Sequence, residues 1–372
     1  MPVTRRASRK RHTTRSEQPW ASQTELVGVK LNLQAQQDNS LYAQYPIGLH
    51  AWFLDQVRQV NPDLSAYLHD GESEKPFTIS GLEGVEAGPG PRLQANQTYG
   101  WTVTALEQSL VEWMADWVQQ LPAVLELRGA PLKILGWEII HPATTYEKLL
   151  SSGSEGLFQF ALSFISPTSF RRKGHHFPLP VPMNVFHSYL RRWNDFSGET
   201  IDSEDFLAWV DEFVIITRYE LRSMKVAAGK KGAVTGFTGA VEFLLAGKAQ
   251  GDEAYGQLLL ALSQFAPYCG TGHKTTFGLG QTRLGWLDNG AAMPATLEAI
   301  LAQRIFELTE YFMAQRKRTG GDRAQQISET WATILARREL GESLQAIAAD
   351  LEMSYETVKT YAKLARRSFA EQ

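Results

Sequence analysis

Apolar and polar residues alternate from Glu25 to Leu33, so that Val27, Val29, Leu31 and Leu33 share one face of a predicted strand. From Pro46 the period changes. Leu49, Trp52, Phe53, Val57 and Val60 recur at helical spacing, and Asn61 followed by Pro62 reads as an N-cap and first-turn proline that restart a short helix ending near Gly71. Strands are predicted over 77–82 and 100–106, separated by a Gly/Pro-rich turn. A helix marked by Leu110, Trp113, Met114, Trp117 and Leu121 then precedes a strand over 132–140. The order is βαββαβ.

That order recurs. Phe158, Phe160, Leu162 and Phe164 alternate as a strand, and residues 185–196 form a helix after a proline-rich entry. Strands over 213–221 and 233–244, a helix over 254–265 and a last strand over 281–286 complete the second set. Identity between the halves is negligible, so the pattern repeats and the residues do not. The predicted fold class is α+β: tandem ferredoxin-like (RRM-like) βαββαβ units followed by a small all-α C-terminal module. The expected divisions are a basic disordered tail (1–20), a first unit (21–150), a second unit (151–288) and a helical extension (289–372). The extension is set off by a shift to helix formers from Pro294, interrupted by Gly320 and Gly321.

Composition narrows the classes. With 43% hydrophobic and 21% charged residues, a chain of 372 residues can bury real cores. The single cysteine, Cys269, argues against a disulfide framework or a cysteine-rich zinc site and fits a reducing cytoplasm. No signal-peptide core follows the basic N-terminus and no apolar stretch is long enough for a bilayer, so a soluble cytoplasmic protein without a membrane partner is expected. The net charge is −3, but Arg5, Arg6, Arg9, Lys10, Arg11 and Arg15 face no acid within residues 1–16, which leaves −9 for the rest. A nucleic-acid partner must therefore engage local basic patches. The tail itself reads equally as a solubilising arm or as a nonspecific attractor of RNA.

The densest chemical signal is Gly270-Thr271-Gly272-His273-Lys274-Thr275-Thr276-Phe277-Gly278-Leu279-Gly280, between the last helix and last strand of the second unit. Gly270, Gly272, Gly278 and Gly280 let the backbone bend tightly and approach a phosphate chain, while His273 and Lys274 supply positive charge. A nucleotide P-loop would open a helix after a strand; here the glycines precede a strand. A plain glycine-rich turn is the alternative. A second cluster, Arg171, Arg172, Lys173, Gly174, His175 and His176, lies between Phe170 and Phe177 and suits a loop gripping RNA backbone, or else a solvated basic turn. Lys230 and Lys231 extend that surface. His175 and His176 with His187 or His273 lack the spacing of a metal site, so no metal and no cofactor are expected.

Together with Ser166-Pro167-Thr168, Phe170, Pro178-Leu179-Pro180, Arg192-Trp193-Asn194 and Gly236-Phe237-Thr238-Gly239, the glycine pattern resembles the CRISPR repeat-processing endoribonucleases of the repeat-associated RAMP superfamily. The resemblance spans about residues 25–287. It implies cleavage of precursor CRISPR RNA within each repeat, with repeat RNA as the partner and subunits of a CRISPR effector complex as further candidates. In that family a tyrosine of the first helix, a histidine just after it and a nearby lysine can serve in metal-independent RNA self-cleavage. Matching Asn61-Pro62-Asp63-Leu64 and Tyr67-Leu68-His69 to the family places Leu54 at the tyrosine, His69 at the histidine and Lys75 near the lysine. Leucine cannot transfer a proton. His50, one helical turn before Leu54, is the substitute expected to act as principal acid or base, with His69 as partner and Lys75 as phosphorane stabiliser. Each also admits a plain role: His50 among Leu49, Trp52 and Phe53, His69 as the polar end of a short helix, Lys75 as a solvated loop lysine.

The C-terminal module has its own pattern. Leu344, Ile347, Ala348 and Leu351 form one apolar face, Ser354 caps the next helix after Met353, and Val358, Tyr361, Leu364 and Ala365 form a second face. This resembles the helix-turn-helix of sigma-factor and response-regulator DNA-binding domains over about 340–369. Lys359, Lys363, Arg366 and Arg367 would touch phosphates, with Tyr355 and Thr360 toward bases; contact with DNA, RNA or a protein subunit all stay open. The leading expectation for the chain is a metal-independent endoribonuclease. The alternative is a noncatalytic CRISPR RNA-binding subunit or a DNA-binding regulator.

Overall fold

The computed structural model describes residues 18–41, 45–69, 74–85, 92–152, 159–173, 175–227, 233–247, 249, 252–287, 297–315, 322–339 and 342–370. The basic tail through residue 17 and Gly71, Phe158, Gly174, Lys230, Lys231, Gly320 and Gly321 lie outside them. The chain forms two compact units, Met1–Leu287 and Asp288–Gln372.

The first half of the larger unit runs β1 (Leu26–Ala35), β2 (Asn39–Ser40), α1 (Tyr45–Val60), α2 (Pro62–His69), β3 (Phe77–Glu83), β4 (Arg92–Leu93), β5 (Thr98–Ala105), α3 (Gln108–Trp117), β6 (Val124–Leu125) and β7 (Leu132–Thr144). Its sheet has the order β3-β5-β1-β7-β6, every pair antiparallel. The alternation read in the sequence places Leu31 opposite Trp101 and Trp137. Leu31, Phe53, Trp101 and Met114 share one buried cluster that joins the sheet to α1 and α3. At about 25 cal/mol per Å² of apolar surface, aromatic burial of this kind is the main force holding helices to the sheet.

After α4 (Tyr146–Ser151) the second half runs β8 (Gln159–Thr168), β9 (Phe170–Arg172), β10 (His175–Phe177), α5 (Pro182–Phe196), α6 (Ser203–Phe213), β11 (Val214–Ala227), β12 (Ala233–Leu245), α7 (Glu253–Cys269) and β13 (Thr282–Leu284). The sheet order is β11-β12-β8-β13. Counting only the four principal strands of each half in chain order, both sheets read second, third, first, fourth. That is the arrangement a split βαβ repeat produces, so the repeated pattern of the sequence corresponds to a repeated topology.

Several features depart from the sequence reading, among them the short helix α4 and the β9–β10 hairpin. α6 is an additional helix, capped by the Asp202 side chain, which accepts from the backbone N–H of Glu204 at 2.8 Å. β11 runs to Ala227 rather than stopping at Leu221, because it pairs with β12 beyond the core. β13 is only three residues long.

The smaller unit comprises α8 (Leu297–Ala314), α9 (Asp322–Glu339), α10 (Leu344–Asp350) and α11 (Tyr355–Ala370). Ile334, Ile347, Ala348, Val358 and Ala362 bury one seam, with Leu344, Leu351, Met353 and Tyr361 packed against it. Leu364 is 40% exposed, not part of the apolar face assigned to it. At 100° per residue the stripe through Val358, Ala362 and Ala365 leaves Leu364 off-face. No helix among the described residues is long and apolar enough to cross a membrane.

Candidate active site

The glycine loop follows α7 and lies between the two halves of the larger unit. Its four glycines all have positive φ. A Cβ on Gly272 would sit 2.3 Å from the Ser169 carbonyl oxygen, and one on Gly280 would sit 2.0 Å from that of Thr271. At Gly272 and Gly280 the space a side chain would take is therefore filled by protein backbone, so these glycines permit close packing of the chain on itself.

Buried side chains hold the loop. Arg192 of α5, 3% exposed, donates to the Gly272 carbonyl at 2.7 Å, to the Ser188 carbonyl at 3.1 Å and to its hydroxyl at 2.9 Å. Its Nε is 3.3 Å from Glu74, whose carboxylate also pairs with Arg191 at 2.7 Å. The Gly272 N–H donates to the Ser188 hydroxyl, and Thr271 bonds the Tyr189 and Thr282 hydroxyls, each at 2.6 Å. A buried guanidinium with its hydrogen bonds filled fixes loop geometry strongly, since losing either partner would strand a charge. Arg192 and Glu74 were not assigned this role from sequence. Arg192 belongs to the motif quoted above, but nothing near it in the chain points to Glu74.

On the side of the first half, Gly278 forms a bridge with Ser80 of β3, which brings the turn Thr275–Phe277 against α1. Nδ1 of His50 lies 2.9 Å from the Thr276 carbonyl. A carbonyl only accepts, so Nδ1 carries the proton, and in the neutral ring the lone pair is on Nε2. The imidazole stacks on Phe277 with ring centroids 4.4 Å apart and on Phe77 at 5.7 Å. Burial pulls its pKa below the ordinary 6.5; the Thr276 carbonyl pulls it back, and the nearby His69 and Lys75 push it down further.

Lys75 Nζ is buried and makes no hydrogen bond among the described residues. His69 is exposed at the end of α2. His69 and Lys75 thus both come within electrostatic reach of His50. Leu54 is 3% exposed in the core, so its place offers no access to a substrate.

The basic cluster forms the hairpin β9–β10, with His175 opposite Arg172 and His176 opposite Arg171. Arg172 lies 5.5 Å from the centre of the Phe177 ring. His176 stacks on His273 at 5.3 Å, and His273 is fixed by Nδ1, which donates to the Ser169 carbonyl at 2.7 Å. Burial lowers the His273 pKa and the Ser169 carbonyl opposes that, while His176, Arg171 and Lys274 add repulsion. Lys173, at the turn of the hairpin, and Lys274 both adopt left-handed backbone. One loop therefore reaches both groups: Thr276 orients His50 and His273 abuts the basic hairpin.

Two ferredoxin-like sheets joined through a glycine loop, with histidines and a basic hairpin around it, define a tandem ferredoxin-like protein. Family comparison gives the narrower assignment. The CRISPR Cas6 N-terminal domain matches residues 27–113 and the CRISPR-associated endoribonuclease Cas6 model matches residues 162–282; the chain belongs to the Cas6 family.

The CRISPR-associated endoribonuclease Cas6 of Mycobacterium tuberculosis is 27% identical over 130 residues, 34% of this chain and 38% of that protein. The protein of the same description from Streptococcus thermophilus is 28% identical over 145 residues, 37% of this chain and 56% of that one. These alignments therefore span well under two thirds of the relatives' length. Among solved structures, a Cas6 product complex is 26% identical with a TM-score of 0.55, covering 70% of this chain and 98% of that one. Thermus thermophilus Cas6, 24% identical with a TM-score of 0.54 over the same shares, has the same fold.

Proposed function

We propose that this chain cleaves precursor CRISPR RNA within its repeats by attack of an internal 2′-hydroxyl. The observation that carries the reading is the His50 tautomer. With Nδ1–H donated to Thr276, Nε2 is an acceptor held in one orientation, and Lys75 lies within electrostatic reach of the ring. In the proposed step His50 Nε2 takes the 2′-hydroxyl proton, the 2′-oxygen bonds to phosphorus and the P–O5′ bond breaks. The 5′-oxygen leaves with a proton supplied by His69, and Lys75 stabilises charge on the phosphorane oxygens. The products are a 2′,3′-cyclic phosphate upstream and a 5′-hydroxyl downstream. Arg171, Arg172, Lys173, His175 and His176, with His273 and Lys274, hold the RNA backbone nearby. The glycines build the platform. That one similar solved Cas6 structure is a product complex and another, 27% identical to this chain, is a substrate-mimic complex supports the reading.

The test is single-turnover cleavage of the neighbouring repeat RNA in EDTA. His50→Ala should lower the rate ~10²-fold or more with repeat affinity nearly unchanged, the scale for removing a general acid or base. His69→Ala should also be slow. A strict magnesium requirement or a 5′-phosphate product overturns the mechanism, and wild-type cleavage by both variants leaves the two histidines without a catalytic role.

A further inference from the structure

The smaller unit carries a feature that RNA cleavage does not use. α10 is capped by Ser343, whose hydroxyl accepts the Ala346 N–H at 3.1 Å. The chain then reverses through Glu352 in left-handed backbone, and α11 starts with the Ser354 hydroxyl accepting the Thr357 N–H at 3.2 Å. Both helices bury their inner faces in the seam with Ile334 of α9. Two capped helices joined by a short turn on a common core form a helix-turn-helix with α11 as its second helix.

Charge is segregated within it. α11 holds Lys359, Lys363, Arg366 and Arg367 against the single acid Glu356, whereas residues 322–354 hold three basic and six acidic side chains. Two of the basic groups outside α11 are engaged: Arg337 pairs with Glu342 and Asp350, and Arg338 donates to the Glu342 carbonyl. Tyr355, Glu356, Lys359, Thr360, Lys363 and Arg366 are all exposed. The module is thus neutral as a whole yet presents one cationic helix face.

We propose that this module binds duplex DNA with α11 in the major groove, a second nucleic-acid activity independent of the RNA-cleaving site. The groove of B-form DNA, about 12 Å wide, admits a helix of about 10–12 Å with its side chains. Duplex RNA has a deep, narrow major groove that such a helix cannot enter, so the geometry favours DNA. Lys363 and Arg366 reach phosphates, and Tyr355, Lys359 and Thr360, nearer the start of α11, meet base edges. Glu356 is the one like charge on that face opposing the DNA.

The test uses the full chain and a duplex DNA enriched by it from a random-sequence library, with the same sequence prepared as duplex RNA. Lys363→Ala/Arg366→Ala should weaken DNA binding at least ~10-fold and reduce the log–log salt slope by about two, one per lost phosphate contact. Glu356→Gln should strengthen binding, a gain that misfolding cannot imitate. Repeat-RNA cleavage should be unchanged in both variants. Failure to enrich any duplex, DNA affinity indifferent to all three substitutions, or duplex RNA bound as tightly and lost equally would each overturn the proposal.

Discussion

His50 owes its proposed chemistry to partners remote in sequence. Burial beside Phe77 and Phe277 holds its pKa below 6.5, and His69 and Lys75 act in the same direction. The base form therefore persists to lower pH than in a solvated histidine, and the acid limb of the single-turnover rate should have its midpoint below 6.5. A midpoint at or above that value would mean that another group supplies the base. Lys75→Met removes one repulsive cation, so the His50 ring protons should titrate at higher pH in NMR; the rate alone would not serve, because the same change removes the proposed phosphorane contact. The sequence offered His50 as a histidine on the inner side of an amphipathic helix, one turn from Leu54. Its Thr276 partner and the Arg192–Glu74 pair were not legible, since each joins segments far apart in the chain and periodicity describes only neighbours.

At the scale of elements, the glycine loop behaves as a fitted part. Gly272→Ala should lower the stability of the larger unit by roughly 1–3 kcal/mol or more, because φ is +80° and the new methyl meets the Ser169 carbonyl. Gly198→Ala is the control: its φ is +77° but nothing lies within 4 Å of the added carbon, so only the backbone cost of about 1 kcal/mol applies. Urea unfolding midpoints compare the two, and equal losses would show that close packing at Gly272 contributes nothing. Gly272→Asp should likewise weaken RNA binding through a displaced loop before any charge repulsion is felt. The sheet strands were legible because each alternates over several residues. α6 has only Phe206, Trp209 and Val210 buried, too short an apolar repeat to stand out beside the long strand that follows. The end of β11 was hidden for another reason. Beyond Leu221 it is held by pairing with β12, which polar side chains such as Arg222 and Ser223 do not prevent.

For the whole molecule, acid should loosen the junction of the two halves. His141 of β7 lies 5.3 Å from the Tyr268 ring of α7, and burial, with repulsion from Arg283, lowers its pKa to about 4. The unfolded chain, near 6.5, then binds more protons than the folded one, so stability is intact above 6.5 and falls as pH drops toward 4, by up to about 3 kcal/mol. His141→Gln should flatten part of that fall in urea unfolding; His50, His187 and His273, also lowered, keep contributing to it. An unchanged slope would remove His141 from the account. The division into two compact units makes a further demand. Both sheets, the glycine loop, His50, His69, Lys75 and the basic hairpin lie before Asp288, whereas the exposed cationic face of α11 lies beyond it. Truncation after Asn289 should therefore leave a body that melts cooperatively and cleaves repeat RNA at close to the full-length rate, while duplex-DNA binding disappears. Thermal melting, repeat affinity and single-turnover rate are measured on the same preparation. A truncated protein that is folded and holds repeat RNA but does not cut would place a necessary part of the RNA-cleaving machinery in the helical extension.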